Sequence, residues 1–491
     1  MLDPAPVPAP LDPPDPAAWA ELRRQAHAIL DDLIDHVAAR ADGPVWRELP
    51  AALRASFAEP LPHGPTPLAE VYADFRRRIL PYDSGNTHPR FVGWVQGGGT
   101  PVGMLAELCA AAMNVNAGGR DHAAIEVERQ ITRWTAAALG FPASASGVLV
   151  TGTSLANLLA VVIARTAALG ADSRARGVAD HRLRAYTSTA AHGCVARAFE
   201  LAGLGRDALV RLPTGPDHRL DPAAVAAHVA ADRARGLQPF LIVASAGTVD
   251  IGAIDPLAEL AELAAAERLW LHVDGAFGAF AALSPALAPR VAGLGRADSV
   301  ACDFHKWLQV PYDAGFLLVR SAAHHAAAFA SEPAYLARAT RGLAGNPPWP
   351  TDFGPDLSRG FRALKVWFTL KTYGVDHLGA VIAHTCALAR GLADRVAAEP
   401  ALELLAPVGL CVVCFRYRHP DADRVNAEIV AALADAGVAA PSTTRIDGRL
   451  AIRVAIINHR CRAADLDRIV DEILARGAAA PRGDRPAERA P

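Results

Sequence analysis

Asp274 and Lys306 are the two residues of this sequence with the clearest potential for chemistry. Asp274 ends the apolar run 269–274, and Lys306 lies further along, in the stretch Asp-Phe-His-Lys-Trp at 303–307. A buried carboxylate at the end of a strand is costly without a cationic partner, so the two could form a structural ion pair. The alternative is a pyridoxal phosphate (PLP) site. There Lys306 forms a Schiff base with the aldehyde, and Asp274 keeps the ring nitrogen protonated so that the ring accepts electrons.

Three further predicted strand ends carry side chains that suit this cofactor. At the first, Thr153 and Ser154 open a helix, where hydroxyl and free backbone N–H groups converge as a phosphate requires. At the second, the flat ring of His192 could stack on the cofactor, although a lone histidine is often only structural. At the third, the Thr248 hydroxyl could reach the ring's phenolic oxygen. Four strand ends with phosphate, stacking, carboxylate and lysine functions favour the PLP site over an ion pair.

These side chains need a sheet whose strands end at a common edge. Short apolar runs alternate with helical patterns through the middle of the sequence, which predicts strands at 147–151, 185–188, 240–245, 269–274, 299–302 and 315–319. Continuous apolar strands separated by helices indicate a mostly parallel sheet covered on both faces. Ligands of such sheets bind beyond the carboxyl ends of the strands. We therefore predict an α/β fold with the site at that edge.

The sequence divides into five predicted segments. A proline-rich lead-in at 1–16 is expected to be disordered, and an N-terminal helical segment at 17–87 follows, whose amphipathic first helix cannot bury its apolar face alone. The large cofactor-binding domain is placed at 88–375. A small C-terminal α+β domain is placed at 376–476, and the tail at 477–491 is expected to be disordered.

Composition narrows the class of protein. The 491 residues include 49 Lys and Arg against 51 Asp and Glu, a net charge of −2, with 52% hydrophobic and 20% charged residues. This balance is globular and gives no electrostatic reason to bind nucleic acid or an acidic membrane surface. Seven scattered cysteines fit a reducing, cytoplasmic location rather than a disulfide framework, and no apolar run is long enough to span a membrane. Cys411 and Cys414 lack the second pair of ligands that zinc needs, so no metal is expected.

Six motifs place the sequence beside a known family. Their order along the chain resembles that in the group II PLP-dependent amino-acid decarboxylases, which include aromatic-L-amino-acid, histidine and glutamate decarboxylases. The motifs are HPRFVGW at 88–94, TGTSLAN at 151–157, AHGCVARA at 191–198, SAGT at 245–248, HVDGA at 272–276 and DFHKW at 303–307. The resemblance covers roughly residues 19 to 474, and its specific part is the pairing of HVD with HKW.

The resemblance implies a fold, an assembly and a set of residue roles. The fold is the PLP-dependent transferase fold (fold type I), with a large α/β domain, a small C-terminal domain and an N-terminal helical segment that packs across a homodimer. The roles carried over are Lys306 as the Schiff-base lysine, Asp274 as the pyridinium partner, His192 stacked on the ring, Ala276 on its opposite face, Thr153 and Ser154 at the phosphate, Thr248 near the ring oxygen and His305 beside the lysine.

The implied reaction is decarboxylation of an L-amino acid, which releases carbon dioxide and an amine. An aromatic substrate fits the resemblance best, and glutamate and aspartate remain open. We expect Phe91, Trp94 and the glycines 97–99 to line the substrate pocket. An aminotransferase on the same fold is an alternative. An inactive PLP-binding protein is the alternative outside the enzymes, and the presence of both Lys306 and Asp274 argues against it.

The proton-delivering loop departs from the family pattern. Aromatic decarboxylases of the family carry a tyrosine on a mobile loop that delivers the proton to Cα. The corresponding region here, 341–354, contains no tyrosine and has Phe353. One hypothesis is therefore decarboxylation coupled to oxidative deamination, which gives an aldehyde. The other is that a different group protonates Cα and the product is the ordinary amine.

Two charged residues have roles that the sequence leaves open. Asp303 stands where many relatives have an asparagine near the phosphate. Since a carboxylate there repels phosphate unless it turns away, we do not assign it to the cofactor. Arg453 is predicted either to meet a substrate carboxylate, as a C-terminal-domain arginine does in aminotransferases that resemble this fold, or to form a structural ion pair.

Overall fold

The computed structural model describes residues 11–178, 181–331 and 337–481, and it begins with three helices that have no buried residue. These helices are α1 (Pro16–Ala38), α2 (Ala51–Ser56) and α3 (Leu68–Arg78). Helix α1 begins at Pro16 because the Asp15 side chain accepts a hydrogen bond from the Ala18 N–H, at 2.8 Å. Large apolar side chains are exposed on this segment, namely Trp19, Ile34, Phe57, Leu68, Val71 and Ile79. The single chain therefore leaves the apolar face of its N-terminal segment uncovered.

The large domain is built on a seven-stranded sheet. Its strands are β1 (Ser146–Val150), β2 (Leu183–Ser188), β3 (Leu209–Leu212), β4 (Gln238–Ser245), β5 (Trp270–Asp274), β6 (Ser299–Asp303) and β7 (Gly315–Val319). They lie in the order β1-β7-β6-β5-β4-β2-β3, parallel from β3 through β6, with β7 antiparallel to both of its neighbours. The predicted α/β fold with a mostly parallel sheet is confirmed.

Helices cover both faces of this sheet and shield its central strands from solvent. They are α4 (Pro101–Met113), α5 (Ala123–Ala138), α6 (Thr153–Leu169), α7 (Ser173–Arg176), α8 (Gly193–Leu201), α9 (Pro222–Ala234), α10 (Leu257–Glu267), α11 (Ala322–Phe329) and α12 (Arg362–Tyr373). Every residue of β6 and β7 is buried as a result. This is why those strands read as continuous apolar runs rather than as alternating ones.

The small C-terminal domain packs helices against a second, antiparallel sheet. It comprises α13 (Val375–Ala398), β8 (Leu402–Leu404), β9 (Val412–Tyr417), α14 (Ala422–Asp435), β10 (Ser442–Ile446), β11 (Arg449–Ala455) and α15 (Ala463–Ala479), with strand order β10-β11-β9-β8. The predicted start of the tail at 477 falls inside α15, so the helix continues beyond that boundary. The predicted disorder at 1–10 and 482–491 lies outside the described residues.

A buried ion pair ties β1 to the segment before α12. The side chains of Arg359 and Glu128 are 2% and 4% exposed and form two parallel hydrogen bonds, at 2.6 and 3.0 Å. Glu128 also accepts from the Leu149 N–H, and Arg359 donates to the Leu149 and Ala117 carbonyls. Removing one partner would leave the other charge buried and unpaired.

We expect Arg359→Met to lower the free energy of unfolding by about 3–5 kcal/mol, because Glu128 becomes an uncompensated buried charge. Chemical denaturation measures this. The matched control is Arg395→Met, which breaks more exposed pairs with Asp467 and Asp471 and should cost less than about 1 kcal/mol. Equal losses in the two variants would contradict the prediction, and adding Glu128→Leu to Arg359→Met should recover part of the loss.

Two features of the chain bear on its surroundings. Within the residues described, no helix has the combination of length and hydrophobicity that crossing a bilayer requires. All seven cysteines are free thiols, and five of them are buried. The cytoplasmic location stays a prediction.

Candidate active site

A cleft of about 340 Å³ lies where β4, β5 and β6 end, close to the start of α6. That volume is within the range of small-ligand sites. All eight site residues predicted from the sequence line it: Thr153, Ser154, His192, Thr248, Asp274, Ala276, His305 and Lys306. Residues at the ends of five strands, β1, β2, β4, β5 and β6, are therefore brought to one place by the sheet, as the topology requires.

The first turn of α6 presents unused donors to the cleft. Thr153 is the first residue of the helix, and its hydroxyl is buried without a hydrogen-bond partner in the part of the chain that the structure describes. Its backbone N–H donates to Oδ1 of Asp303 at 2.8 Å. The turn can form because Gly315 on β7 packs against Gly152, where a Cβ on Gly315 would lie 2.3 Å from the Gly152 Cα. A helix N-terminus with an orphaned hydroxyl suits a phosphate.

Lys306 is paired with Asp303 at the other side of this turn. Its Nζ lies 3.0 Å from Oδ2 of Asp303, whose side chain is 3% exposed. Nε2 of His305 lies 3.6 Å from the same oxygen, and burial lowers the pKa of that histidine. The ion pair that one interpretation placed between Lys306 and Asp274 is thus made with Asp303. Sequence reasoning set Asp303 aside, whereas the structure places it in the cleft wall between Thr153 and Lys306.

Glycine 97 supports the turn that carries Lys306. The Gly97 N–H donates to the His305 carbonyl at 3.2 Å, and a Cβ at this position would lie 2.4 and 2.5 Å from the His305 and Lys306 carbonyl oxygens. Only glycine permits this approach of two backbone segments. Among the residues predicted to line the substrate pocket, Gly97 therefore supports the lysine turn, Trp94 lines the cleft, and Phe91 is buried against Val45 and Ala440.

The Asp274 carboxylate is buried in the protein and accepts two hydrogen bonds. Its Oδ2 accepts from Nδ2 of Asn157 at 3.0 Å, and its Oδ1 accepts from the Ala276 N–H at 3.2 Å. Burial raises the pKa of Asp274, and the positive charge of Lys306 and the Asn157 hydrogen bond act against that rise. A cation brought next to this carboxylate would therefore be stabilised.

His192 and Thr248 occupy the two remaining positions. His192 precedes α8, is exposed to the cleft, and accepts a hydrogen bond on Nδ1 from the Cys194 N–H at 3.2 Å. Thr248 is 1% exposed, and its hydroxyl oxygen accepts from the Ala253 N–H at 3.0 Å. The exposed ring of His192 is therefore accessible to a ligand, and the Thr248 hydroxyl can still donate its proton to one.

Arg453 reaches the cleft from β11 of the small domain. It is 5% exposed and donates to three backbone carbonyls, those of Gly93 (2.6 Å), Val249 (2.6 Å) and Asp250 (3.1 Å). Burial lowers the pKa of Arg453. Carbonyl groups thus hold this guanidinium, rather than the carboxylate that a structural ion pair requires.

Phe353, considered from sequence in place of the family's proton-delivering tyrosine, is not among the residues that line the cleft. Its ring centroid is 4.8 Å from that of His325, and its carbonyl accepts from Nε2 of His325 at 2.8 Å. It lines a separate cavity together with Ser146. The tyrosine nearest in sequence to the region 341–354 is Tyr335, which lies outside the described residues.

His325 makes the stability of this region depend on pH. It has no exposed surface, and burial lowers its pKa from 6.5 to about 3. Below pH 6.5 His325 is protonated in the unfolded chain but stays neutral in the folded chain. The free energy of unfolding therefore falls as pH falls toward 3. Relative to His325→Gln, which cannot titrate, the wild type should lose about 1.4 kcal/mol per pH unit below pH 6. Urea denaturation at pH 7 and pH 5 measures this, and a difference independent of pH would contradict it.

Sequence reasoning missed several residues of the cleft. Tyr312 is half-exposed at the cleft and stacks on His305, with ring centroids 4.2 Å apart. Cys194 and Phe277 also line it. Asn157 belongs to a motif that was noticed, but its bond to Asp274 joins side chains from distant parts of the sequence. No spacing signal could have found these contacts.

The residues present fit pyridoxal phosphate. The unpartnered Thr153 hydroxyl and the start of α6 suit its phosphate, the buried Asp274 carboxylate suits a protonated ring nitrogen, and the Lys306 amine suits its aldehyde.

Comparison with known proteins gives consistent matches over nearly the whole chain. A family model described as the pyridoxal-dependent decarboxylase conserved domain matches residues 50–418. An aromatic-L-amino-acid decarboxylase of Bacillus atrophaeus is 32% identical over 464 residues, 93% of this chain and 95% of that protein. An L-2,4-diaminobutyrate decarboxylase of Rhizobium meliloti (strain 1021) is 32% identical, over 84% of this chain and 83% of that protein. The crystal structure of Oryza sativa TDC with PLP and tryptamine superposes with a TM-score of 0.87 at 27% identity, covering 96% and 99% of the two chains.

Proposed function

The chain belongs to the pyridoxal-dependent decarboxylase family and is a PLP-dependent amino-acid decarboxylase, and from this we propose that it converts an aromatic L-amino acid to its amine. The observation that carries the proposal is the single cleft that holds Lys306, Asp274 and the start of α6 together. Family membership favours carbon dioxide release over amino-group transfer. The intact pair of Lys306 and Asp274 argues against an inactive binding protein.

We assign each residue of the cleft a task in that reaction. Thr153 and Ser154 bind the phosphate, and Lys306 is the amine that binds the aldehyde carbon. His192 and Ala276 lie against the two faces of the ring, and Thr248 and His305 lie at its edge and beside the lysine. When bound, PLP supplies the electron sink for the pair released from the Cα–carboxylate bond.

Asp303 and Asp274 control charge at the two ends of the cleft. Asp303 holds Nζ of Lys306 at 3.0 Å, and this nitrogen attacks an aldehyde only in its deprotonated, amine form. Asp274 keeps the ring nitrogen protonated. The buried walls limit access of water, which strengthens both interactions.

The lining of the cleft favours an aromatic side chain on the substrate. Trp94 and Tyr312 are 54% and 48% exposed there and offer ring faces for stacking. A cationic side chain would need an available carboxylate, whereas Asp303 is bonded to Lys306 and Asp274 faces the cofactor in our assignment. We propose that Arg453, which lines the cleft, binds the substrate's own carboxylate.

The aldehyde alternative rests on the absence of a tyrosine from 341–354, where Phe353 packs against His325. Since the chain belongs to a decarboxylase family, we propose the amine as the product, with the aldehyde as the outcome to be tested.

Mass spectrometry of the reaction products tests the proposed aromatic substrate and the proposed amine product. The PLP-loaded enzyme is incubated in air with pooled L-amino acids, including 2,4-diaminobutyrate. We expect an arylalkylamine and carbon dioxide. A predominance of 1,3-diaminopropane would overturn the aromatic assignment, and an aldehyde would overturn the amine. Tyr335→Phe and Phe353→Tyr, run in parallel, then report which position affects the amine-to-aldehyde ratio; we expect no effect at Phe353.

A homodimer is the proposed assembly. The apolar side chains exposed on the N-terminal segment, such as Trp19, Phe57 and Val71, would be covered by a second copy, as burial of such a face requires. Sedimentation of the loaded protein should give twice the chain mass, and a monomer at micromolar concentration would contradict it.

A further inference from the structure

A buried network of five side chains runs through the sheet and ends on Asp274. Trp270 donates from Nε1 to the Ser299 hydroxyl oxygen at 2.9 Å. That hydroxyl lies 2.8 Å from Nδ1 of His272, and Nε2 of His272 lies 2.8 Å from Oδ1 of Asn157. Nδ2 of Asn157 then donates to Oδ2 of Asp274 at 3.0 Å. The side chains of β5, β6 and α6 are joined by these bonds without a break.

Hydrogen-bond chemistry fixes the direction of this network. An ionised carboxylate only accepts, so the Asn157 amide must point its NH₂ group at Asp274 and its oxygen at His272. His272 must then carry its ring proton on Nε2, and Nδ1 accepts from the Ser299 hydroxyl. Every bond from Trp270 to Asp274 runs the same way.

His272 contributes orientation rather than charge. It has no exposed surface, and burial lowers its pKa to about 3, so its ring is neutral at pH 7 and holds a single proton. If that proton moved to Nδ1, the Asn157 amide would turn over and aim its oxygen at the Asp274 carboxylate. The donor that opposes the burial-driven rise in the pKa of Asp274 would then be lost.

We propose that Ser299, His272 and Asn157 are positioning residues that hold Asp274 ionised toward the cofactor ring nitrogen by fixing the orientation of the Asn157 amide. The proposal rests on the proposed function in one respect, the assignment of Asp274 as the partner of that nitrogen. It adds a line of residues behind Asp274 that touch neither substrate nor cofactor.

Two readouts test this without measuring turnover. One is the ¹⁵N resonance of the ring nitrogen of ¹⁵N-labelled PLP bound to the protein, which reports whether that nitrogen is protonated. The other is the dissociation constant of PLP. In His272→Leu, which removes both bonds of the ring, we expect the resonance to move toward that of unprotonated pyridine and the dissociation constant to rise about 10- to 100-fold. His272→Gln keeps an amide donor and should restore part of both.

His325 provides a matched control. It is also fully buried and bonded through Nδ1 to a serine hydroxyl, that of Ser146 at 2.9 Å, but its Nε2 bonds to the Phe353 carbonyl outside the cleft. His325→Leu should therefore leave the ring nitrogen resonance unchanged, even if it lowers stability as much as His272→Leu does.

Ser299→Ala covers the case in which His272→Leu does not fold. Loss of the hydroxyl removes the donor to Nδ1 and frees His272 to take the other tautomer, so the resonance should move the same way by a smaller amount. If Asp274→Asn moves the resonance while the folded His272 and Ser299 variants match the wild type, the network proposal is overturned and the role of Asp274 stands. If Asp274→Asn leaves the resonance unmoved, the assignment of Asp274 in the proposed function fails first.

Discussion

Lys306→Arg is expected to lower the rate of carbon dioxide release by about 10⁴-fold or more while the protein still folds. Arginine keeps a positive charge beside Asp303, so the buried carboxylate is not left without a partner. A guanidinium is not deprotonated in proteins and cannot take the place of the lysine amine as a nucleophile. Steady-state assays of carbon dioxide release measure the loss.

The position of cofactor attachment can be read separately from the rate. Borohydride reduction of the loaded wild type, followed by peptide mass spectrometry, should find the cofactor on Lys306. Lys365 is the control, since it is a buried lysine that pairs with Glu107 rather than with a residue of the cleft. Label on Lys365, or full activity in Lys306→Arg, would contradict the assignment. Lys306→Ala should be less stable than Lys306→Arg, because it leaves Asp303 unpaired.

Asp274→Asn is expected to lower kcat by about 10²- to 10³-fold, which is the second large effect. The variant keeps the shape of the side chain and removes its negative charge. The cofactor ring nitrogen then loses the partner that keeps it protonated, and electrons from the Cα–carboxylate bond flow less readily into the ring. Single-turnover measurements with saturating PLP separate this loss from weaker cofactor binding.

Asp232 on α9 supplies the comparison for Asp274. Its carboxylate is also buried and accepts a hydrogen bond, from the Tyr186 hydroxyl at 2.9 Å, but it does not line the cleft. Asp232→Asn should therefore leave kcat within about twofold of the wild type. A similar loss in both variants would mean that the removal of any buried carboxylate, rather than of this one, slows the reaction.

The parts of the fold that could be predicted from sequence are those that local pattern determines. Strand β7 is found at Gly315–Val319, where the apolar run placed it, and β5 ends at Asp274, as predicted. Strand β3 was missed, because a four-residue edge strand with an exposed Arg211 has no continuous apolar signal. The motifs around Lys306 and Asp274 located the site because parallel strands deliver their carboxyl ends to one edge.

Contacts between distant segments lay beyond sequence reasoning. The segment with Phe353 was aligned by its position in the chain, whereas its place in the protein is decided by packing against His325 on α11. Asp303 was set aside because a carboxylate repels phosphate, but its place between the Thr153 N–H and the Lys306 ammonium depends on how α6 meets β6. Arg453 is surrounded by three carbonyl groups from two loops, those of Gly93 and of Val249 and Asp250, that no sequence spacing connects.

The antiparallel insertion of β7 between β1 and β6 has a consequence for the order of events on the ribosome. Among the described strands, β1 pairs with β7, and Val150 lies opposite Gly315. A nascent polypeptide that ends short of Gly315 leaves β1 without a neighbour, Gly152 without the residue that packs on it, and the start of α6 without its completed surroundings. Such long-range pairing is slow and exposes apolar strands in the meantime. The PLP site can therefore be completed only after translation has passed Lys306 and β7, so that the cofactor cannot assist the folding of β1 to β5 while they are being synthesised.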